Sequence, residues 1–176
     1  MSVVVTLTVE EIEKAATVGV QRHCNKLRKS WSNSYGVRDL EWQIDIEGAI
    51  AELAVAKWAG LPWNGSVGVP DYDGDVGRAH VRSTSHHHGR LILHDSDADG
   101  AAFILVTGTA PRLRLEGWLF AKEGKRPEYL DELRSGGKSY FVPQSKLRPI
   151  TNKTRILERC KKGMKGFDEN DRSHRR

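Results

Sequence analysis

Gly48-Ala49-Ile50-Ala51-Glu52-Leu53-Ala54-Val55-Ala56-Lys57 reads as the inner part of a helix running from about Ile44 to Ala59. Ile46, Ala49, Ile50, Leu53, Ala54 and Trp58 recur at helical spacing, and the small residues among them permit close packing. Gly60-Leu61-Pro62 stops the helix. Glu52 sits in the middle of this apolar run. A carboxylate costs free energy there unless it points into a cleft or meets a cation.

Working outward, Thr8-Val9-Glu10-Glu11 upstream is a capping box, in which Thr8 caps Glu11 and Glu11 reaches back. Ile12, Ala16, Val20, Cys24, Leu27 and Trp31 follow at helical spacing. The spacing predicts one long amphipathic helix over residues 9–30, with Arg22, Lys26, Arg28 and Lys29 on its outer face. Downstream, residues 60–77 are rich in glycine and proline and predict turns around one or two short strands. The period then becomes that of strands: Ala79 to Thr84, Arg90 to Leu93, Ala102 to Thr107 and Leu113 to Phe120, arranged as a meander. Ile104, Leu105 and Val106 form the unbroken apolar run of a central strand covered on both faces. A short helix over 127–134 and a last strand from Ser139 to Pro143 complete the body. The fold class is α/β (α+β).

The chain has 176 residues, 38% hydrophobic and 29% charged, which suits a globular domain over 1–150 with an appendage over 151–176. Its net charge of +5 lies wholly in that appendage: nine Lys/Arg against four Asp/Glu in 151–176, and nineteen of each before it. A partly disordered basic tail on a neutral body points to a polyanion, or else to simple solvation. No apolar run is long enough for a bilayer and the N-terminus lacks a signal-peptide pattern, so no membrane partner and a cytoplasmic location are expected. Cys24 and Cys160 make neither a disulfide framework nor a zinc knuckle.

Chemistry gathers around Glu52 and the turn Pro70-Asp71-Tyr72-Asp73-Gly74-Asp75-Val76-Gly77. The strand that follows, Arg78-Ala79-His80-Val81-Arg82-Ser83-Thr84, projects His80 and Arg82 from one face. Carboxylates hold Mg²⁺ or Mn²⁺, the metal activates a water against a phosphodiester, and a strand cation stabilises the developing charge.

This order of helix glutamate, turn aspartate and polar strand pair resembles the PD-(D/E)XK nuclease superfamily. It resembles more narrowly a family of phage-encoded proteins, through Gly48 to Lys57, Gly74-Asp75-Val76-Gly77 with Val81-Arg82, and Gly117-Trp118-Leu119. The resemblance covers roughly residues 9–150. It implies a restriction-endonuclease-like mixed sheet with flanking helices and metal-dependent DNA cleavage in the host cytoplasm. Glu52, Asp75 and His80 would hold the metal, with Arg82 on the scissile phosphate and Glu47 a second helix candidate. His80 stands where the family has a carboxylate, and an imidazole suits transition metals better than Mg²⁺. Arg82 stands for lysine; it binds phosphate but stays protonated.

Four readings therefore remain open. The chain cleaves DNA; it is a silent nuclease-like protein that binds DNA or a host protein; it is an interaction protein without a nucleic-acid role; or Glu52 pairs with a buried arginine and Asp75 caps a turn. Candidate DNA contacts are Arg22, Lys26, Lys29, Arg78, Arg82, Arg90 and, in the tail, Lys161 and Lys162. A homodimer is compatible with each functional reading. Asp95-Ser96-Asp97-Ala98-Asp99-Gly100 matches half of an EF-hand loop, but Val106 occupies the twelfth position where the bidentate glutamate belongs, so a polar turn is expected. His86-His87-His88 is expected in a surface loop.

Overall fold

A computed structural model of the chain describes residues 2–29, 41–67, 74–131 and 138–150. The elements are β1 (Val3–Thr6), α1 (Val9–Arg28), α2 (Glu41–Ala59), β2 (Ala79–Thr84), β3 (Leu91–His94), β4 (Ala102–Thr109), β5 (Arg112–Phe120), α3 (Ala121–Gly124), β6 (Leu130–Asp131) and β7 (Ser139–Val142). Single 3₁₀ turns at Pro127–Tyr129 and Gln144–Lys146 flank β6 and β7. The tail with Lys161, Lys162 and Cys160, and the turn residues Asp71 and Asp73, lie outside the described residues. Among the described residues, no helix is long and apolar enough to cross a membrane.

The strands form two sheets rather than a meander. The larger is mixed, in the order β1-β5-β4-β2, with β2 parallel to β4 and the other pairs antiparallel. The smaller is antiparallel, in the order β3-β7-β6. The chain thus leaves the first sheet after β2, adds β3 to the second, and returns in β4. The central strand is as the apolar run predicts: Phe103, Ile104, Leu105 and Val106 are each at most 1% exposed. Ile104 and Val106 meet α2 together with Ala79, Leu113, Leu115 and Trp118. Phe103 and Leu105 meet Leu91, Leu93 and Val142 of the second sheet.

β5 keeps its apolar side chains on the α2 face by an irregularity. Val106 pairs with Leu115 but Leu105 pairs with Gly117, so Glu116 is the extra residue of a bulge. The bulge changes the parity, and Leu113 and Leu115 share a face with Trp118 rather than with Gly117. The Glu116 carboxylate accepts from Thr107 Oγ1 at 2.7 Å and Arg114 Nε at 3.1 Å.

The capping box forms as the sequence predicts, with Thr8 N donating to Glu11 Oε2 at 2.7 Å and Glu11 N to Thr8 Oγ1 at 3.3 Å. The packing face of α1 differs from the expected stripe. Val20 and Leu27 are 38% and 58% exposed, and Ala15, Gly19 and His23 are buried. Gly19 sets this face: a Cβ there would lie 2.5 Å from Ile46 Cα, so the two helix backbones touch. Arg22 and Lys26, expected on the outside, consequently face α2. The predicted short helix at 127–134 is reduced, within the described residues, to the 3₁₀ turn and β6.

Candidate functional site

Residues 49–56 of α2 are buried, Glu52 among them. Its carboxylate meets Arg22 in a two-pronged bond, Nη1–Oε1 at 2.6 Å and Nη2–Oε2 at 2.8 Å. Trp63 Nε1 donates to Oε2 at 3.2 Å, and Arg22 Nε donates to the Ser66 carbonyl at 2.9 Å. The two side chains are only 22% and 11% exposed. Burial works against the charge of Arg22. The bonds to Glu52, its charge, and the more distant Asp75 and Asp45 carboxylates outweigh it and raise the guanidinium pKa above its ordinary value. Next along α1, His23 Nδ1 lies 2.9 Å from Asp45 Oδ2, and Lys26, about one turn beyond Arg22, donates to Oδ1 at 2.5 Å. The α1–α2 contact is therefore an ionic seam.

Asp75 opens the turn before β2. Its Oδ2 accepts from Val81 N at 2.7 Å, and its own N–H, like that of Val76, donates to the Ala79 carbonyl. Gly74 is required here: φ is +110° and a Cβ would lie 2.6 Å from the Arg78 backbone. The same Oδ2 is 3.9 Å from His80 Nδ1.

His80 and Arg82 share a face, as the strand period dictates, but it is the face turned away from α2. Their register partners are Phe103 and Leu105, which pack on the second sheet. His80 stacks on Phe103 at 5.0 Å, and the Arg82 guanidinium sits 5.1 Å from the centre of the same ring. Arg82 Nη2 donates to Asp97 Oδ1 at 3.0 Å. The four expected residues have different immediate partners, although the Arg22 charge is felt by both Glu52 and Asp75. Glu52 lies in the helix layer with Arg22, Asp75 stands at the sheet edge beside His80, and Arg82 is tied to Asp97 on the far face.

The expected metal ligands do not fit a hard divalent cation in this arrangement. Both oxygens of Glu52 are taken by a guanidinium whose charge repels a second cation, and His80 offers nitrogen rather than oxygen. Among the described residues, no three His, Cys, Asp or Glu side chains are grouped to hold a metal. Of the expected DNA contacts, Arg22 and Lys26 are committed to α2 carboxylates, whereas Arg78, in the left-handed region at φ 73°, is exposed.

The pairing of Glu52 with an arginine is one of the readings that the sequence left open; which arginine it is, and the partner of Arg82, the sequence reading missed. The spacing Ala15-Gly19-Arg22-Lys26 carried a signal for Arg22, because small residues mark the side where another helix approaches. Asp97 as the partner of Arg82 had no local signal. The half EF-hand turn is closed by a side chain: Lys125 Nζ donates to the Asp95 carbonyl at 2.9 Å, to Asp99 Oδ1 at 3.1 Å and to the Asp97 carbonyl. An ammonium takes the place a cation would need.

His94, at the end of β3, is held below the usual histidine pKa by burial and then by the Arg82 charge, with Asp97 opposing. The unfolded chain therefore binds a proton at His94 more readily than the folded one. The stability that follows is fully present above the unfolded value of about 6.5 and is lost as pH falls below it. Urea unfolding of wild type and His94→Asn at pH 7.5 and 5.5 should show the gap between them narrowing on acidification. A gap that does not change with pH would exclude this linkage.

Compared with family models, with curated proteins and with solved structures, the chain matches none.

Proposed function

We propose that this chain is a DNA-binding protein of nuclease-like architecture in which the site around Glu52 holds the fold together instead of cleaving a phosphodiester. The observation that carries this reading is the Arg22 fork, which takes up the carboxylate that a nuclease would present to a metal. The mixed sheet over α2 is compatible with a restriction-endonuclease-like fold, and the resemblance to phage-encoded PD-(D/E)XK relatives supplies the link to DNA. The basic excess of residues 151–176 supports a polyanionic partner. Metal-dependent cleavage is the competing reading, favoured by the short distance between Asp75 and His80.

Incubation with plasmid and linear duplex DNA in Mg²⁺ or Mn²⁺ separates the two. The expected result is intact DNA and a salt-sensitive mobility shift that survives Asp75→Ala. Deleting residues 151–176 should flatten the slope of log affinity against log salt by about 0.9 for each phosphate that the tail neutralises. Cleavage by wild type that disappears in Glu52→Gln, with the fold intact, would establish the nuclease reading instead.

A further inference from the structure

On the face opposite α2, the edge of β2, the following histidine loop and β3 enclose a groove of about 660 Å³. That volume lies in the range of small-ligand sites, roughly 300–1,000 Å³. Its lining is cationic or protonatable at Arg82, Arg90, His86 and His88, and includes the Ser83 and Thr84 hydroxyls. It is apolar at Ile92 and Phe141, which lie beside each other on paired strands. Asp131 is the single carboxylate among the lining residues, which also include His94. Arg90 is exposed and has no ion pair to another described residue. Arg82 is directed by Asp97 through one nitrogen, and its buried Nε has no hydrogen-bond partner among the described residues.

We propose that this groove binds one unstacked nucleotide, its phosphate against Arg82 and Arg90 and its base against Phe141 and Ile92. The inference rests on the DNA-binding reading and names the surface it uses. Guanidinium groups match phosphate oxygens in a fork, and histidine N–H groups add donors beside them. A site for inorganic anions alone has no use for the apolar pair Ile92 and Phe141, whereas a base gains from lying on an aromatic side chain. The bases of an intact duplex are stacked and paired, so a single strand is the form of DNA that this groove accommodates.

Fluorescence anisotropy with a labelled ten-residue oligo-dT measures the affinity of the full chain. Inorganic phosphate, thymidine monophosphate and a twenty-base-pair duplex serve as competitors. Arg90→Glu and Phe141→Ala should each weaken oligo-dT binding by about tenfold or more. Lys14→Glu, which makes the same charge change on the outer side of α1, should stay within about twofold. If Phe141→Ala fails to fold, the exposed Arg90 position decides. Competition by thymidine monophosphate at concentrations where phosphate is inert confirms nucleotide recognition and identifies the free nucleotide as a ligand. Preference for the oligonucleotide over the monophosphate assigns the site to a strand. Equal competition by phosphate and monophosphate would refute a nucleotide site. Wild-type DNA binding that Arg90→Glu leaves unchanged would place the strand elsewhere while the DNA-binding reading stands. No binding of wild type to any of these DNAs would sink both.

Discussion

Glu52→Ala should cost about 3 kcal/mol of stability, because it leaves the Arg22 guanidinium part-buried between two helices without its counter-charge. For a chain of this length that is a fall in melting temperature of roughly 10 °C. The cost is asymmetric in a useful way. Removing one partner strands a desolvated charge, whereas replacing both by apolar side chains removes the cost of burying either. The double variant Arg22→Met with Glu52→Leu should therefore recover most of the loss. Thermal or urea unfolding of wild type, both single variants and the double variant gives the coupling directly. A glutamate kept for chemistry predicts the opposite pattern: Glu52→Ala no less stable than wild type, and a double variant no better than the sum of its parts.

The same pair shows what the sequence could and could not disclose about the site. A charged residue inside an apolar helical run must find a partner, and that much follows from Glu52 and its neighbours alone. Which cation supplies it is a property of two helices together. Reading α1 by its large apolar residues put Val20 and Leu27 inside and Arg22 and Lys26 outside. The contact runs instead along Ala15 and Gly19, whose small size brings Ile46 so close that the long side chains on either side must reach across. Asp75 illustrates the converse. Its role in the turn is local, set by Gly74 and Val81, and the possibility that it caps a turn was legible from the residues around it.

The strands divide in the same way. Alternation and turn residues placed the long strands within one or two residues, because those signals are local. β1 went unread, since four residues, Val3 to Thr6, become a strand only by pairing with Leu115 to Arg112, more than a hundred positions away. The separation into two sheets was also invisible. The loop from Ser85 to Arg90 has the length and composition of a hairpin turn, yet it carries the chain out of one sheet and into the other. What decides between those outcomes is the chemistry of both faces of β4. A strand with Phe103 and Leu105 on one side and Ile104 and Val106 on the other demands two covering layers, and α2 provides only one of them.

That demand makes Phe103 the residue on which the far side of the molecule depends. It is 1% exposed, packs in the cluster that joins the sheets, and carries His80 and Arg82 over its ring. Phe103→Ala should cost roughly 3–5 kcal/mol, the usual range for emptying an aromatic site in a packed core. Phe103→Leu, which keeps most of the apolar volume, should cost much less, about 1.5 kcal/mol or below. The two variants also separate packing from alignment. In Phe103→Leu the sheets stay joined, but Arg82 loses the ring over which it sits and is directed by Asp97 alone. Oligonucleotide affinity should then fall further than stability does. Chemical denaturation gives the first quantity and anisotropy the second. A Phe103→Leu protein that binds DNA as wild type does would mean that the ring serves the core alone and has no part in aiming the guanidinium.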